Sequence, residues 1–142
     1  MKCFDKAIEI NPENSEAWYY KGQSLSNFAR YDDALKCFDK ATEINPEDSE
    51  AWIAKGLTLE NLGNEKEAIL IYEKLIKNDP KNSDAWDARG LAYKSIGEEA
   101  KAQESFERSK ELNQEKFTSL IEEGKSYITK NKYDEALESF DQ

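Results

Sequence analysis

The sequence predicts an all-α solenoid of antiparallel helix hairpins, and three observations carry that prediction. The first is a fixed period. Trp18, Trp52 and Trp86 are 34 residues apart, and so are Gly22, Gly56, Gly90 and Gly124. Ala34, Ala68, Ala102 and Ala136 keep the same step, as do Phe4, Phe38, Tyr72, Phe106 and Phe140, and Pro12, Pro46 and Pro80. Self-similarity of this length is the mark of a repeat architecture. The second observation is that apolar residues inside each period recur at helical spacing. The third is composition: Ala, Glu, Lys and Leu dominate, with three prolines and six glycines in 142 residues, a set that favours helix.

The elements follow in order. Ser15, Ser49 and Ser83 are read as the caps of helix starts, each followed by Glu or Asp in the first turn, where the helix dipole favours an acid. In the first copy, Ala17, Trp18, Leu25 and Phe28 form one apolar stripe on helix A. Gly22 lies on that face and removes a side chain where a partner helix must come close, at a propensity cost of about 1 kcal/mol. A turn follows, marked by Gly63 and Gly97 in two copies. Helix B then presents Ala34, Leu35, Phe38, Ala41 and Ile44. Asn45-Pro46 ends it, because proline disfavours helix at the residue before it. Helices are predicted near 15–28, 31–45, 49–62, 65–79, 83–96 and 99–112. One hairpin cannot bury its own apolar faces, so neighbours must stack.

A period of 34 with Trp, Gly, Ala, an aromatic and Pro in that order resembles the tetratricopeptide repeat (TPR) family. The resemblance implies a right-handed superhelical solenoid. Full copies span 15–48, 49–82 and 83–116. Residues 1–14 match the last helix of a partial repeat, and 117–142 match a truncated one, so the chain is expected to be part of a longer array. The copies are unequal. Gln103 stands where Leu35 and Ile69 stand, Ser109 takes a small or apolar position, Gln114 replaces proline and Leu120 replaces tryptophan. Asn78 takes the place of Ile44. The boundary near 113–117 is the weakest, and helix B there is a candidate to run on.

Charge narrows the function. The chain carries a net −10 and no histidine. Phosphate binding needs a basic face, so neither nucleic acid nor an anionic membrane is an expected partner. No apolar run approaches the roughly 20 residues that span a bilayer. Met1-Lys2-Cys3-Phe4-Asp5 lacks an apolar signal core, and there is no Asn-x-Ser/Thr sequon. Two cysteines, Cys3 and Cys37, suit a reduced compartment, so the expected location is cytoplasmic. No phosphate loop, Cys-x-x-Cys or Gly-x-Ser-x-Gly is present. No catalytic residue, cofactor or metal is therefore assigned.

Several recurring residues have a plain structural reading. Cys3 and Cys37 occupy equivalent positions on successive copies, roughly 10 Å apart by helix packing distances, beyond the reach of a disulfide. Lys21, Lys55 and Arg89 form a basic ladder broken by Glu123. Their stems are expected to pack on neighbouring helices while their heads pair with acids. The tryptophans are placed in the core by their spacing to glycine and to Leu25, Leu59 and Tyr93.

The groove is the site the resemblance implies. In the TPR family the A helices line a concave surface that binds peptides. The matching positions are Glu16, Tyr19, Gln23, Ser26 and Asn27 in the first copy, then Glu50, Ile53, Leu57, Glu60 and Asn61. The third copy gives Asp84, Asp87, Leu91, Lys94 and Ser95. The fourth gives Thr118, Ile121, Lys125, Ile128 and Thr129. Tyr19, Ile53, Leu57, Leu91, Ile121 and Ile128 would form an apolar track, and Glu16, Glu50, Glu60, Asp84 and Asp87 would edge it. Exposed contiguous apolar surface marks an interaction site, although these side chains could instead pad the contacts between A helices.

Within the family, a chaperone-tail carboxylate clamp would need cations and asparagines at Tyr19, Gln23, Ala54, Asp84 and Ala88, and none is a cation. The asparagine ladder of another subset would fall on Tyr20, Ala54, Ala88 and Glu122, and it is absent. The expected function is a protein-interaction scaffold for a protein or peptide with apolar anchors and basic residues. Alternatives are a structural module that self-associates end to end, and a regulatory repeat domain of a larger enzyme.

Overall fold

A computed structural model describes the backbone of residues 2–140 and the side chains through residue 131. Among the described residues seven α-helices follow one another: α1 (Lys2–Ile10), α2 (Ser15–Asn27), α3 (Tyr31–Ile44), α4 (Ser49–Asn61), α5 (Glu65–Asn78), α6 (Ser83–Ser95) and α7 (Glu99–Phe140). There is no strand among the described residues. Helices A are α2, α4 and α6, and helices B are α1, α3, α5 and the first half of α7.

Each hairpin closes on a glycine. A Cβ at Gly22 would lie 2.8 Å from the Phe38 ring, one at Gly56 2.5 Å from the Tyr72 ring, and one at Gly90 2.6 Å from the Phe106 ring. Phe38 and Tyr72 are fully buried as a result. Around them the core is built largely from alanines, including Ala34, Ala51, Ala68, Ala85, Ala92 and Ala102, so the helices approach closely. Buried hydroxyls return to their own helix: Thr42 donates to the Phe38 carbonyl, Thr58 to Ala54 and Ser105 to Lys101. No buried side-chain polar atom lacks a partner among the described residues.

The helices start at 15, 49 and 83 as the sequence predicts, but the capping residue lies one position earlier than the serine. The caps are Asn14, Asp48 and Asn82, whose side-chain oxygens accept from the N–H of Ala17, Ala51 and Ala85 at 3.0 Å. Ser15, Ser49 and Ser83 are the first helical residues. The Asx side chain at N-cap reaches forward to the N–H three residues on.

Two other expectations change. Phe28 is the C-cap of α2 and 69 % exposed, so it leaves the apolar stripe. The tryptophans are half-buried, at the seam between copies, and not interior. Each indole N–H donates to the carbonyl of the proline six residues earlier: Trp18 to Pro12 at 2.9 Å, Trp52 to Pro46 at 2.9 Å and Trp86 to Pro80 at 3.0 Å.

The turn expected near 113–117 is absent. α7 passes through it as one helix of 42 residues, so residues 117–130 do not return as a fourth helix A. Three signals fail there together. Gln114 replaces the proline, Lys116 replaces the Asx cap, and Leu120 replaces the tryptophan that latches the loop. The residues present are ordinary helix formers, so the helix continues. The expected packing roles of Ala136 and Phe140 lie outside the described side chains.

Across α4 and α5, the Tyr72 hydroxyl donates to Glu60 at 2.7 Å. Burial raises the Glu60 carboxyl from its ordinary value, partly opposed by that hydrogen bond. In the A–B turns, Gly63 and Gly97 have φ of 80° and 79°, and Ala29 takes the same left-handed conformation at φ 55°.

Three outcomes are expected. Gly56→Leu should cost about 1–3 kcal/mol or more by forcing Tyr72 out of its seat, with damage concentrated in the adjacent copies; denaturant titration should show a midpoint well below the parent's. Ala29→Gly should stabilise by about 1 kcal/mol, because the left-handed penalty of a Cβ is removed. A lower denaturation midpoint would contradict it. For Glu60 the folded state holds its proton more tightly than the unfolded chain, so stability present below the ordinary value is lost as pH rises through the folded one. Glu60→Gln keeps the acceptor for Tyr72 and should raise thermal stability at neutral pH, with the gain fading as the pH falls into the carboxylate range.

Candidate functional site

The helices curve toward one face. α2 touches α4 and α4 touches α6, whereas α1, α3, α5 and α7 do not touch one another among the described residues. Helices A are thus closer together than helices B, so the A face is the inner one.

On that face the proposed lining separates into three groups. Leu57 and Leu91 are 41 % and 52 % exposed. Tyr19 and Ile53 are half-buried and serve the stacking first. Tyr19 meets Tyr20 edge-on, with centroids 5.1 Å apart, and Phe38 at 6.0 Å, and Ala54 packs in the same cluster. Ile53 packs against the clusters on both sides of it. The padding role between A helices therefore applies to these two and not to the leucines.

The third group is polar. Glu16, Glu50, Asp84 and Asp87 are exposed and have no ion-pair partner among the described residues. Tyr19 is raised from its ordinary value by burial first and then by Glu50 and Asp48, which places the start of α4 beside the middle of α2. Gln23 donates to the Tyr19 hydroxyl at 3.5 Å. Asn61 donates to the Leu57 carbonyl of its own helix at 2.9 Å, and Glu60 is held by Tyr72. Asn27, Lys94 and Ser95 are exposed and Ser26 is half-buried; the Ser95 hydroxyl is turned to the Ala92 carbonyl.

The basic ladder is spent on stitching copies. Lys21 pairs with Asp5 at 2.8 Å and Lys55 with Asp39 at 2.9 Å, each on the preceding helix B. Arg89 departs from the pattern. It donates to the Ser105 hydroxyl at 3.0 Å and lies 3.6 Å from Glu104, while Glu73 accepts from the Tyr93 hydroxyl at 2.8 Å. Each cation also covers the tryptophan of its own copy, 4.3–5.5 Å from the ring centroid. Lys94 is thus the one cation among the proposed lining residues of α2, α4 and α6.

The fourth copy's contribution is corrected. Thr118, Ile121, Lys125, Ile128 and Thr129 lie on the continuation of α7 and are all exposed, so they do not stand beside α6 as a fourth lining helix. An open crevice of about 730 Å³ separates α7 from the start of α6, lined by Asn82, Asp84, Leu112, Lys116, Leu120 and Glu123. Sequence reasoning also missed Tyr20, which stacks on Phe4 with centroids 6.0 Å apart, and the exposed Phe117 and Tyr127. The signal for the last two was the loss of cap and proline at 114–116.

Cys3 is exposed and Cys37 buried, both free. Burial pushes the Cys37 thiol up, which makes it less reactive. No group of three or more metal-ligating side chains occurs among the described residues, and no described helix is long and apolar enough to cross a membrane.

Comparison with known proteins follows the geometry. No curated protein matches the chain in sequence. Among solved structures, "Crystal structure of MamA" superposes with a TM-score of 0.75 at 25 % identity, covering 82 % of this chain and 68 % of that one. MamA residues 41 to the end from Desulfovibrio magneticus RS-1 give 0.68 at 25 %, covering 79 % and 63 %. The chain spans between 62 % and 68 % of the length of the MamA chains it matches. The first TPR of Spaghetti (RPAP3) bound to the HSP90 peptide SRMEEVD gives 0.65 at 19 %, covering 69 % and 78 %, a likeness of fold alone. Two profiles described as tetratricopeptide repeat match in sequence, one over residues 3–36 and 71–104 and the other over 23–83. With the 34-residue period, the hairpin stacking and these matches in agreement, the chain belongs to the tetratricopeptide repeat family.

Proposed function

We propose that the chain is a protein-interaction scaffold, without catalytic activity of its own, that holds an extended or helical protein segment on the inner face of α2, α4 and α6. The observation that carries this is the pairing of two exposed leucines, Leu57 and Leu91, with four unpaired acids on one face. Apolar side chains that the core does not need are a desolvation site. The ligand class is a segment with apolar anchors over Leu57 and Leu91 and Lys or Arg facing Glu16, Glu50, Asp84 and Asp87. A carboxylate-ended chaperone tail fits poorly, since Asp84 opposes it and Ala88 is buried. The RPAP3 structure, solved with a peptide, supports peptide capture at the level of the fold.

Exposed ion pairs contribute about 0–1 kcal/mol each, so affinity comes mainly from the apolar contacts. Charge governs association rate and salt sensitivity. A segment selected from a peptide library, followed by calorimetry at low and high salt, tests the reading. Leu57→Glu should abolish binding. Glu50→Gln should weaken it mildly and flatten its salt dependence. Both variants should keep parental helicity, because neither residue is in the core. A folded Leu57→Glu variant that binds as the parent does removes the groove from consideration.

A further inference from the structure

Two repeat positions inside the hairpins change size from copy to copy. On helix A the position of Leu25 is held by Leu59 and then Tyr93; on helix B that of Cys37 is held by Ile71 and then Ser105. In the second copy the bulk comes from helix B, where Ile71 packs against the cluster of Leu59. In the third it comes from helix A. There Tyr93 is nearly buried, and Arg89 spans from its ring, 5.8 Å from the centroid, to the Ser105 hydroxyl at 3.0 Å. The first copy has the smaller residue at both positions. There an open cleft of about 710 Å³ between α2 and α3 runs over Trp18, Leu25 and Cys37.

The rim of that cleft is unlike the rest of the chain in charge. Four cations and three acids line it, Lys21, Arg30, Lys36 and Lys40 against Asp5, Asp33 and Asp39, in a protein of net charge −10. Lys21 is held by Asp5, Lys40 by Glu43 and Asp39 by Lys55. Arg30 and Lys36 share one carboxylate: the Arg30 Nε lies 3.1 Å and the Lys36 Nζ 3.4 Å from Asp33. One positive charge is therefore left over at the start of α3. Neither cation recurs, since Asn64 and Leu70, then Glu98 and Glu104, take their places. The missing bulk and the surplus cation thus coincide in one copy.

The third copy shows what chemistry such a space accepts. Its occupant is the Tyr93 ring, with Lys101 5.2 Å from the centroid as well as Arg89. In the first copy Lys21 holds the place of Arg89 and lies 5.5 Å from the Trp18 ring, so a ring in the cleft would meet an aromatic neighbour and a cation there too. We propose that the cleft of the first copy binds a small aromatic carboxylate, its ring over Leu25 and Cys37 and its carboxylate on Arg30 and Lys36. The cleft lies within the roughly 300–1,000 Å³ of small-molecule sites, and carboxylate bonded to guanidinium or ammonium is a strong pairing. It shares no residue with the inner groove and does not depend on the groove's function.

Calorimetric titration of the 142-residue chain with 3-phenylpropionate tests the assignment. The parent should bind one equivalent saturably. The neutral 3-phenylpropanamide should bind more weakly. Cys37→Ile installs the residue of the second copy and should abolish binding while helicity is kept. Arg30→Gln combined with Lys36→Gln alters exposed side chains only. It should weaken the carboxylate to the level of the amide and leave the amide unchanged. The same charge change away from the cleft, Lys66→Gln with Lys77→Gln, should leave carboxylate binding as in the parent. A parent that shows no saturable binding, a folded Cys37→Ile variant that binds as the parent does, or equal loss of carboxylate binding in the two double variants would each overturn the proposal.

Discussion

The contact on which the fold depends is an aromatic ring seated on a glycine. A helix hairpin can bring its axes close only where one side chain is missing, and at Gly22, Gly56 and Gly90 a Cβ would fall within 3 Å of the facing ring. That notch lets Phe38 and Tyr72 be fully buried in a protein with few large apolar residues. The alanines around them keep the same close approach along the helices. The helical cost of each glycine is offset by burial of a ring, at roughly 25 cal/mol for each Å² of apolar surface removed from water.

The second constraint is the joint between copies, which has three parts that act at one place. Proline ends helix B, an Asx side chain caps the next helix A, and the tryptophan indole holds the proline carbonyl. The Asx side chain and the indole each satisfy a backbone group that the chain reversal leaves open, while the proline keeps helix B from continuing. At 114–120 all three residue types are replaced, and α7 runs on. The straight helix is the outcome of missing stop and start signals, since continuing satisfies every backbone group without them.

The joint and the notch also distribute charge. Lys21, Lys55 and Arg89 lie over the tryptophans at the seams and reach acids or a hydroxyl on a neighbouring helix. With a net charge of −10 in the chain, committing these cations to the seams leaves the inner face acidic. The exposed leucines sit among those acids because the stacking contacts of α4 and α6 are made by other positions, Ile53 and Ala88 among them. Stacking and the candidate binding face are thus built from different sides of the same helices.

The 34-residue period, the hairpins, the packing glycines and the helix stop at each proline were legible in the sequence, because each rests on local chemistry that repeats in register. Partly legible was the end of the third copy: Gln114 and Leu120 were visible departures, but the missing cap at Lys116 was obscured by assigning the caps to the serines. Tertiary structure decided the rest. It turned Tyr19, Ile53 and Glu60 toward neighbouring helices and left Leu57 and Leu91 open, a division that spacing cannot make because all five share the same helix faces. It moved the tryptophans from the core to the seam, since an indole N–H must find an acceptor and the proline carbonyl lies on the preceding loop. It also took Ile121 and Lys125 out of the groove, because whether a helix turns back depends on three residues acting together and not on the period that surrounds them.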